Sequence, residues 1–294
     1  MIMDIFLQGF INGIGLGAIY TLVALSYTIL FGTLRIANFA QGDLFMIGML
    51  LGYNFYINAS LPFYIALVLS IIVTVIVMLI IQRIIYQPIY KVSSMFLFIT
   101  TIGMATFLRN ASLLVFGTES YSFPHLLGAT PWTIVGSISI LPQSFIIIVV
   151  CVVLAAALTI FMRKTKTGLA MTAYSINSFA ATLMGVSFKR MALITYIISA
   201  AMTSIAGVLS APIYTVGPNV GALIGLKALI AAILGGFGNP AGAILGGMAL
   251  GLIEALGSFY ISSAYKDTFA FIVLIIILFV RPQGLFGRQR ITKV

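Results

Sequence analysis

The chain has 294 residues, of which 62% are hydrophobic and 7% charged, with a formal net charge of +10 and a mean hydropathy of +1.20. A soluble domain carries roughly 25% charged residues, so this composition excludes water as the main solvent of the surface and points to lipid. The basic excess falls in clusters between apolar runs, where it sets topology, and nucleic acid is not an expected partner.

At the N-terminus, Asp4 stands alone and no early Lys or Arg supplies the basic region of a signal peptide, so the first apolar segment is expected to remain as a span. Uncharged runs such as Phe63 to Ile81 and Phe145 to Met162 approach the ~20 residues that cross a ~30 Å hydrocarbon core. They are apolar on every face and lack the alternation of a barrel strand, which leaves helices as the spanning structure. In chain order the pattern predicts helices at 5–31, 42–57, 63–83, 94–116, 143–162, 190–211, 221–235, 240–258 and 267–281. The expected fold is all-α, a polytopic transmembrane helical bundle of about eight or nine membrane segments, with one domain over 1–294.

The basic groups set the orientation. Arg83 with Lys91, Arg163 with Lys164 and Lys166, Lys189 with Arg190, and Arg281 with Arg288, Arg290 and Lys293 are expected at the cytoplasmic face. Counting spans between them places the N-terminus outside and the C-terminus inside, provided 221–258 forms two short spans or one re-entrant hairpin. In 221–235, seven Leu or Ile residues at about −0.5 kcal/mol each are nearly cancelled by Lys227 at about +2.5 to +3.5. This segment is therefore expected inside the bundle, with the turn Gly235-Gly236-Phe237-Gly238-Asn239-Pro240 separating it from the next helix.

Glycines recur every fourth residue at Gly9, Gly13 and Gly17, and again at Gly238, Gly242 and Gly246, with Gly247 and Gly251 following. Small residues at this spacing form a groove that lets helix backbones approach closely in lipid. Tight helix packing, not solute contact, is the role expected of them.

Five acidic residues occur, and two of them, Asp43 and Glu254, fall in or at the edge of apolar helices. Ionisable groups are costly there and usually face a partner or a water-filled path. A hairpin turning at 236–240 would bring Lys227 to Glu254, so a buried pair or polar network beside a translocation path is expected. The block Asn38-Phe39-Ala40-Gln41-Gly42-Asp43 opens the second span. Asn38 or Asp43 is a candidate helix cap, and Asn38, Gln41 and Asp43 together are a candidate polar break at the inner mouth of the path.

The longest inner loop runs from Arg163 to Arg190. Its segment 168–185 predicts one amphipathic helix with Ala173, Ile176, Ala180, Leu183 and Met184 on a single face. Small residues and few charges favour docking on a protein over lying on lipid. The chain has no G-x-x-x-x-G-K-[ST] phosphate loop, so it is not expected to bind ATP itself. Lone Cys151 offers no disulfide within the chain, and lone His125 in an outer loop has no ligand or nucleophile at a useful spacing. No metal, cofactor or catalytic residue is expected on this chain.

The run NGIGLGAIYTLVALSYTILFGTLRIANFAQGDLFMIG resembles the N-terminal signature of the branched-chain amino-acid permeases of bacterial ABC importers, where Asn-Phe-Ala-His-Gly-Asp/Glu is typical. The run GLKALIAAILGGFGNPAGAILGGMALGLIEALGSFYISSAYKDTFAFIVLIIILFVRPQGLFG is similar to the C-terminal half of the same family, and the likeness covers nearly the whole chain in the manner of an H-type permease. The resemblance implies a heteromeric importer. In it, a second homologous permease of M type completes the pathway, two cytoplasmic ATPase subunits use ATP and Mg, and an extracytoplasmic binding protein delivers leucine, isoleucine or valine. The loop around Thr167, Gly168, Ala173, Asn177, Ala181 and Gly185 matches the family segment that couples to an ATPase. Gln41 stands where His is usual, Thr172 where Arg is common and Asn177 where Asp is usual. The last two remove opposite charges, which shifts the expected contact from ion pairs to packing and hydrogen bonds and leaves room for a different solute such as urea.

Two other classes fit the composition. An ion-coupled secondary transporter would use Asp43, Lys227 and Glu254 to carry a proton or Na⁺, and a passive channel would move solute without concentrating it.

Overall fold

The computed structural model describes residues 2–90, 94–128, 130–135, 138–281 and 283–287; Lys91, Arg288, Arg290 and Lys293, four of the basic residues read as inner-face markers, lie outside the described residues. The chain runs through α1 (Ile2–Leu34), α2 (Gln41–Tyr53), α3 (Phe63–Ile81), α4 (Gln87–Ile89) and α5 (Ser94–Phe116) to a small hairpin of β1 (Trp132–Val135) and β2 (Ile138–Ile140). It continues through α6 (Pro142–Lys164), α7 (Lys166–Ile176), α8 (Ser178–Leu183), α9 (Phe188–Ser210), α10 (Val220–Gly235), α11 (Pro240–Tyr260) and α12 (Lys266–Val280). One π-helical turn extends α2 to Asn58 and another joins α3 to α4.

Among the described residues, seven helices are long and apolar enough to cross a membrane, the last of them counted from Ser263 to Val280. The helix from Gln41 to Asn58 and the 16 residues of α10 reach about 27 and 24 Å, a little short of a ~30 Å core. The segment 221–258 is the expected pair, with α10 running to the basic-end turn at 236–239 and α11 running back from it. It pairs a short α10 with a 21-residue α11, and each carries one partner of a buried ion pair, Lys227 on α10 and Glu254 on α11. The second span starts at Gln41, one residue from the expected 42. After α1 the chain folds back into the bundle, burying Ile36, Asn38 and Ala40 before α2 begins.

The core lies around α1, which is buried from Ala18 to Leu30. Helices α2, α9, α10 and α11 surround it, whereas α3, α5, α6 and α12 turn isoleucine, valine and phenylalanine side chains outward. An apolar rim is what a lipid solvent selects. The β1–β2 hairpin pairs antiparallel, Trp132 with Ile140 and Thr133 with Ser139. Gln8 of α1 holds it by donating to the Ser139 carbonyl and accepting from the Ser139 amide, each at 2.9 Å.

The glycine series sets the central crossings. A Cβ on Gly13 would lie 2.9 Å from the Leu252 Cα, and one on Gly17 would lie 2.9 Å from the Met248 Cα, so α1 and α11 touch by their backbones. Gly9 meets the Leu256 and Phe259 side chains instead. Gly242 and Gly246 press on Gly235 of α10, and Gly42 of α2 presses on Gly221 and Gly225. Gly238, at φ 88°, shapes the α10–α11 turn beside Gly32. The tail then hooks under α10: Leu285 N–H donates to the Leu234 carbonyl at 2.8 Å and Phe286 N–H to the Gly235 carbonyl at 3.2 Å.

Replacing Gly17 by leucine forces the α1–α11 crossing apart, an overpacking that costs about 1–3 kcal/mol or more. Gly103 has open space where a Cβ would stand. Thermal unfolding in detergent should show Gly17→Leu melting several degrees below the parent and Gly103→Leu close to it.

Candidate functional site

Three polar assemblies interrupt the apolar bundle. The first joins α1, α10, α11 and α12. Lys227 Nζ donates to Glu254 Oε1 at 2.7 Å, and Tyr20 donates its hydroxyl proton to Glu254 Oε2 at 2.8 Å. Lys227 Nζ also lies 2.6 Å from Asp267 Oδ1, and Lys266 Nζ lies 3.4 Å from Glu254 Oε1. Two ammonium groups and two carboxylates thus alternate. The Lys227 and Glu254 side chains are 4% and 0% exposed, whereas Lys266 and Asp267 are 35% and 51% exposed. Burying a charge is tolerable only when it is paired and its remaining valences are hydrogen-bonded, and Tyr20 supplies that extra bond.

The depth of this quartet follows from helix geometry. Leu34, the 236–239 turn and the tail residue Leu285 mark one end of the bundle. Tyr20, Glu254 and Asp267, counted along α1, α11 and α12 from that end at ~1.5 Å per residue, all lie about 20 Å in.

The second assembly sits at the break between α1 and α2. The Gln41 amide nitrogen lies 2.9 Å from Ser26 Oγ, 2.7 Å from Ser199 Oγ, 3.2 Å from the Ser199 carbonyl and 2.5 Å from Thr203 Oγ1. An amide has two N–H groups, so four acceptors share them. The three hydroxyls are free to accept because each donates its own proton to a carbonyl of α1 or α9. Asn38 accepts from the Ala40 amide at 3.2 Å and from the Tyr86 hydroxyl at 3.0 Å. Neither Asn38 nor Asp43 caps α2; Ala40 holds that position without a side-chain bond, because Asn38 closes an Asx-type turn one step earlier. Asp43 belongs to a third contact, its Oδ1 lying 3.2 Å from Arg109 Nε of α5.

At the basic end, α7 and α8 stand out from the bundle. The single helix expected over 168–185 is broken at Asn177, whose side chain accepts from the Ala180 amide at 3.0 Å and so starts a second helix. Gly185 at φ 85° ends α8, with Gly185 N–H bonded to the Thr182 carbonyl and Val186 N–H to the Ala181 carbonyl, a Schellman pattern. Of the expected coupling residues, Gly168 and Ala181 are buried, Thr167 is half-buried, and Ala173, Asn177 and Gly185 are exposed. Ile176, Leu183 and Met184 of the expected face are exposed, and Phe179 joins them. Arg35, at φ 59°, donates from its guanidinium to the Ser175 carbonyl at 3.1 Å, which ties the α1–α2 break to the end of α7. Beneath, Phe188 stacks on Tyr90 at 4.1 Å and meets Tyr174 at 6.0 Å. Burial raises the hydroxyl pKa of both tyrosines, with each helped by desolvation and Tyr90 also by its neighbour Tyr174.

The candidate path residues therefore do not form one cluster. Lys227 meets Glu254, Asn38 meets Gln41, and Asp43 turns to α5. Sequence reasoning missed Tyr20, Arg109, Lys266 and Asp267. Arg109 carried a usable signal, as a lone charge within the apolar run of α5.

A helical bundle with paired charges in its interior and an apolar helix pair standing out at its basic end defines a polytopic membrane transport subunit. The family described as the branched-chain amino acid transport system permease component matches residues 9–278. The chain is 36% identical to the high-affinity branched-chain amino acid transport system permease protein LivH of Escherichia coli K12, over 98% of each chain. It is 33% identical to the corresponding permease protein BraD of Pseudomonas aeruginosa, again over 98% of each. A solved structure, PsaBC from Streptococcus pneumoniae in complex with Fab, superposes at a TM-score of 0.48 with 15% identity, over 97% of this chain and 93% of that chain. The chain belongs to the branched-chain amino acid transport permease family.

Removing Lys227 leaves the buried Glu254 with only Tyr20 and the more distant Lys266, a loss that approaches the about 3–5 kcal/mol of a broken buried pair. Lys227→Met should therefore lower the unfolding temperature in detergent strongly. The double variant Lys227→Met with Glu254→Gln should recover much of the loss, since Asp267 can face water; a double variant no better than the single would deny the coupling.

Proposed function

We propose that this chain is one of two permease subunits of an ATP-driven importer for the branched-chain amino acids leucine, isoleucine and valine. A homologous permease completes the pathway, two ATPase subunits dock at the basic end, and an extracytoplasmic protein delivers the solute. The observation that carries the ATPase assignment is the exposed apolar set Ile176, Phe179, Leu183 and Met184 on α7 and α8. A helix with such anchors fits a groove in a partner protein. The solute assignment is supported by the names of relatives matched along nearly the full chain.

Arg35, Arg83, Arg163, Lys164, Lys166, Lys189, Arg190 and Arg281 border this end of the bundle, which supports placing it in the cytoplasm of a bacterium, with the N-terminus outside and the C-terminus inside. On this reading ATP and Mg stay on the partner subunits. Closure of the ATPases would push α7 and α8, and the Arg35–Ser175 bond would pass that motion to the α1–α2 break, a rigid-body transmission. A secondary transporter has less support, since Asp43, Lys227 and Glu254 each already hold an opposite charge.

In vesicles holding the assembled complex, leucine uptake should stop when ATP is removed with ion gradients intact; continued accumulation would reject the reading. Phe179→Asp should abolish co-purification of the ATPase and uptake together while leaving the melting temperature near that of the parent, because Phe179 is 73% exposed.

A further inference from the structure

We infer that the Lys227–Glu254–Lys266–Asp267 quartet is a receiving site for the zwitterionic head group of an α-amino acid, with Asp267 taking the ammonium and Lys266 taking the carboxylate. The inference rests on the amino-acid import reading above and locates where that solute is held.

Depth and exposure come first. Lys266 and Asp267 are the first two residues of α12, about 20 Å from the basic end, and they are 35% and 51% exposed. Charged groups of a membrane protein avoid lipid and face water-filled or protein-lined space instead. The exposed pair is therefore open to solute that arrives from the end opposite the basic one.

Charge balance comes second. The inner pair is self-sufficient: Glu254 keeps Lys227 at 2.7 Å and Tyr20 at 2.8 Å whether or not the outer pair is engaged. Lys227 holds two carboxylates at once, at 2.7 and 2.6 Å, so Asp267 can leave it for a ligand ammonium without orphaning a buried charge. Lys266 is more loosely held, 3.4 Å from Glu254, and can turn to a ligand carboxylate. A zwitterion brings one charge of each sign and leaves the site neutral. A lone cation or anion would leave an uncompensated charge in low dielectric, and a neutral solute has nothing with which to replace either ion pair.

The test uses the assembled importer, without the binding protein, in detergent. Binding of radiolabelled leucine is measured by equilibrium dialysis, with leucinamide, which lacks the carboxylate, and 4-methylpentanoate, which lacks the ammonium, as competitors. Leucine should bind, and each competitor should be at least about tenfold weaker, a difference of about 1.4 kcal/mol. Asp267→Asn should weaken leucine binding by a similar factor, Asp267→Glu should restore most of it, and Lys266→Gln should raise the leucine Kd while narrowing the gap between leucine and leucinamide. Thermal unfolding separates binding from folding: an Asp267→Asn protein that melts low and loses binding together with Asp267→Glu marks a structural role only and overturns the inference. If the parent complex imports leucine with ATP and Asp267→Asn binds leucine equally well, the site assignment fails alone. If the parent imports only a solute without an amino-acid head group, the import reading and the inference fail together.

Discussion

Backbone contact between α1, α11 and α10 is the constraint on which the interior depends. Lipid offers no hydrophobic drive between helices, so association relies on close packing and on polar contacts. Gly13 and Gly17 of α1 let α11 approach until its Cα atoms sit where side chains would otherwise stand, and Gly242 and Gly246 do the same toward α10. Only at that separation do Tyr20, Lys227 and Glu254, from three different helices, reach one another at 2.7 to 3.4 Å. The packing and the charge network are therefore mutually dependent. Without the glycines the lysine would be unpaired in an apolar medium, and without the ion pair the short α10 would have little reason to enter it.

Much of this was legible in the sequence because lipid reduces the choices. Apolar length fixes helices, and the spans at 94–116, 221–235 and 240–258 fall within two residues of the observed ends. The proximity of Lys227 and Glu254 follows from a hairpin with a glycine turn, a short-range inference. What was not legible is long-range or competes with periodicity. The Asp43–Arg109 contact joins residues 66 apart in sequence, and no local pattern announces it. The break at Asn177 was hidden because the apolar pattern continues across it, although an Asn three residues before Ala180 is the composition of a cap. The burial of the α1–α2 break was hidden for a related reason: Gln41 looks like a loop residue until Ser26, Ser199 and Thr203 are seen to receive it, and Asn38 until Tyr86 donates to it.

The two ends of the molecule differ in how they are held. At the basic end the links are directional and few: Arg35 to the Ser175 carbonyl, Tyr90 hydroxyl to the Leu34 carbonyl and ring contacts around Phe188. At the opposite end a β-hairpin is clamped by Gln8, a backbone bridge joins Tyr121 to Val216, and Tyr121 stacks on Tyr53 at 4.8 Å. Directional links transmit a displacement along a defined line, whereas a paired strand and stacked rings resist it. The Arg35–Ser175 bond is the directional link between the end of α7 and the α1–α2 break.

The hook formed by the tail has a consequence for biogenesis. The last carbonyls of α10, at Leu234 and Gly235, accept from Leu285 and Phe286, residues that leave the ribosome some fifty positions later. Until those residues emerge, the last carbonyls of α10 lack these two donors. Residues made late thus close the end of a segment made much earlier.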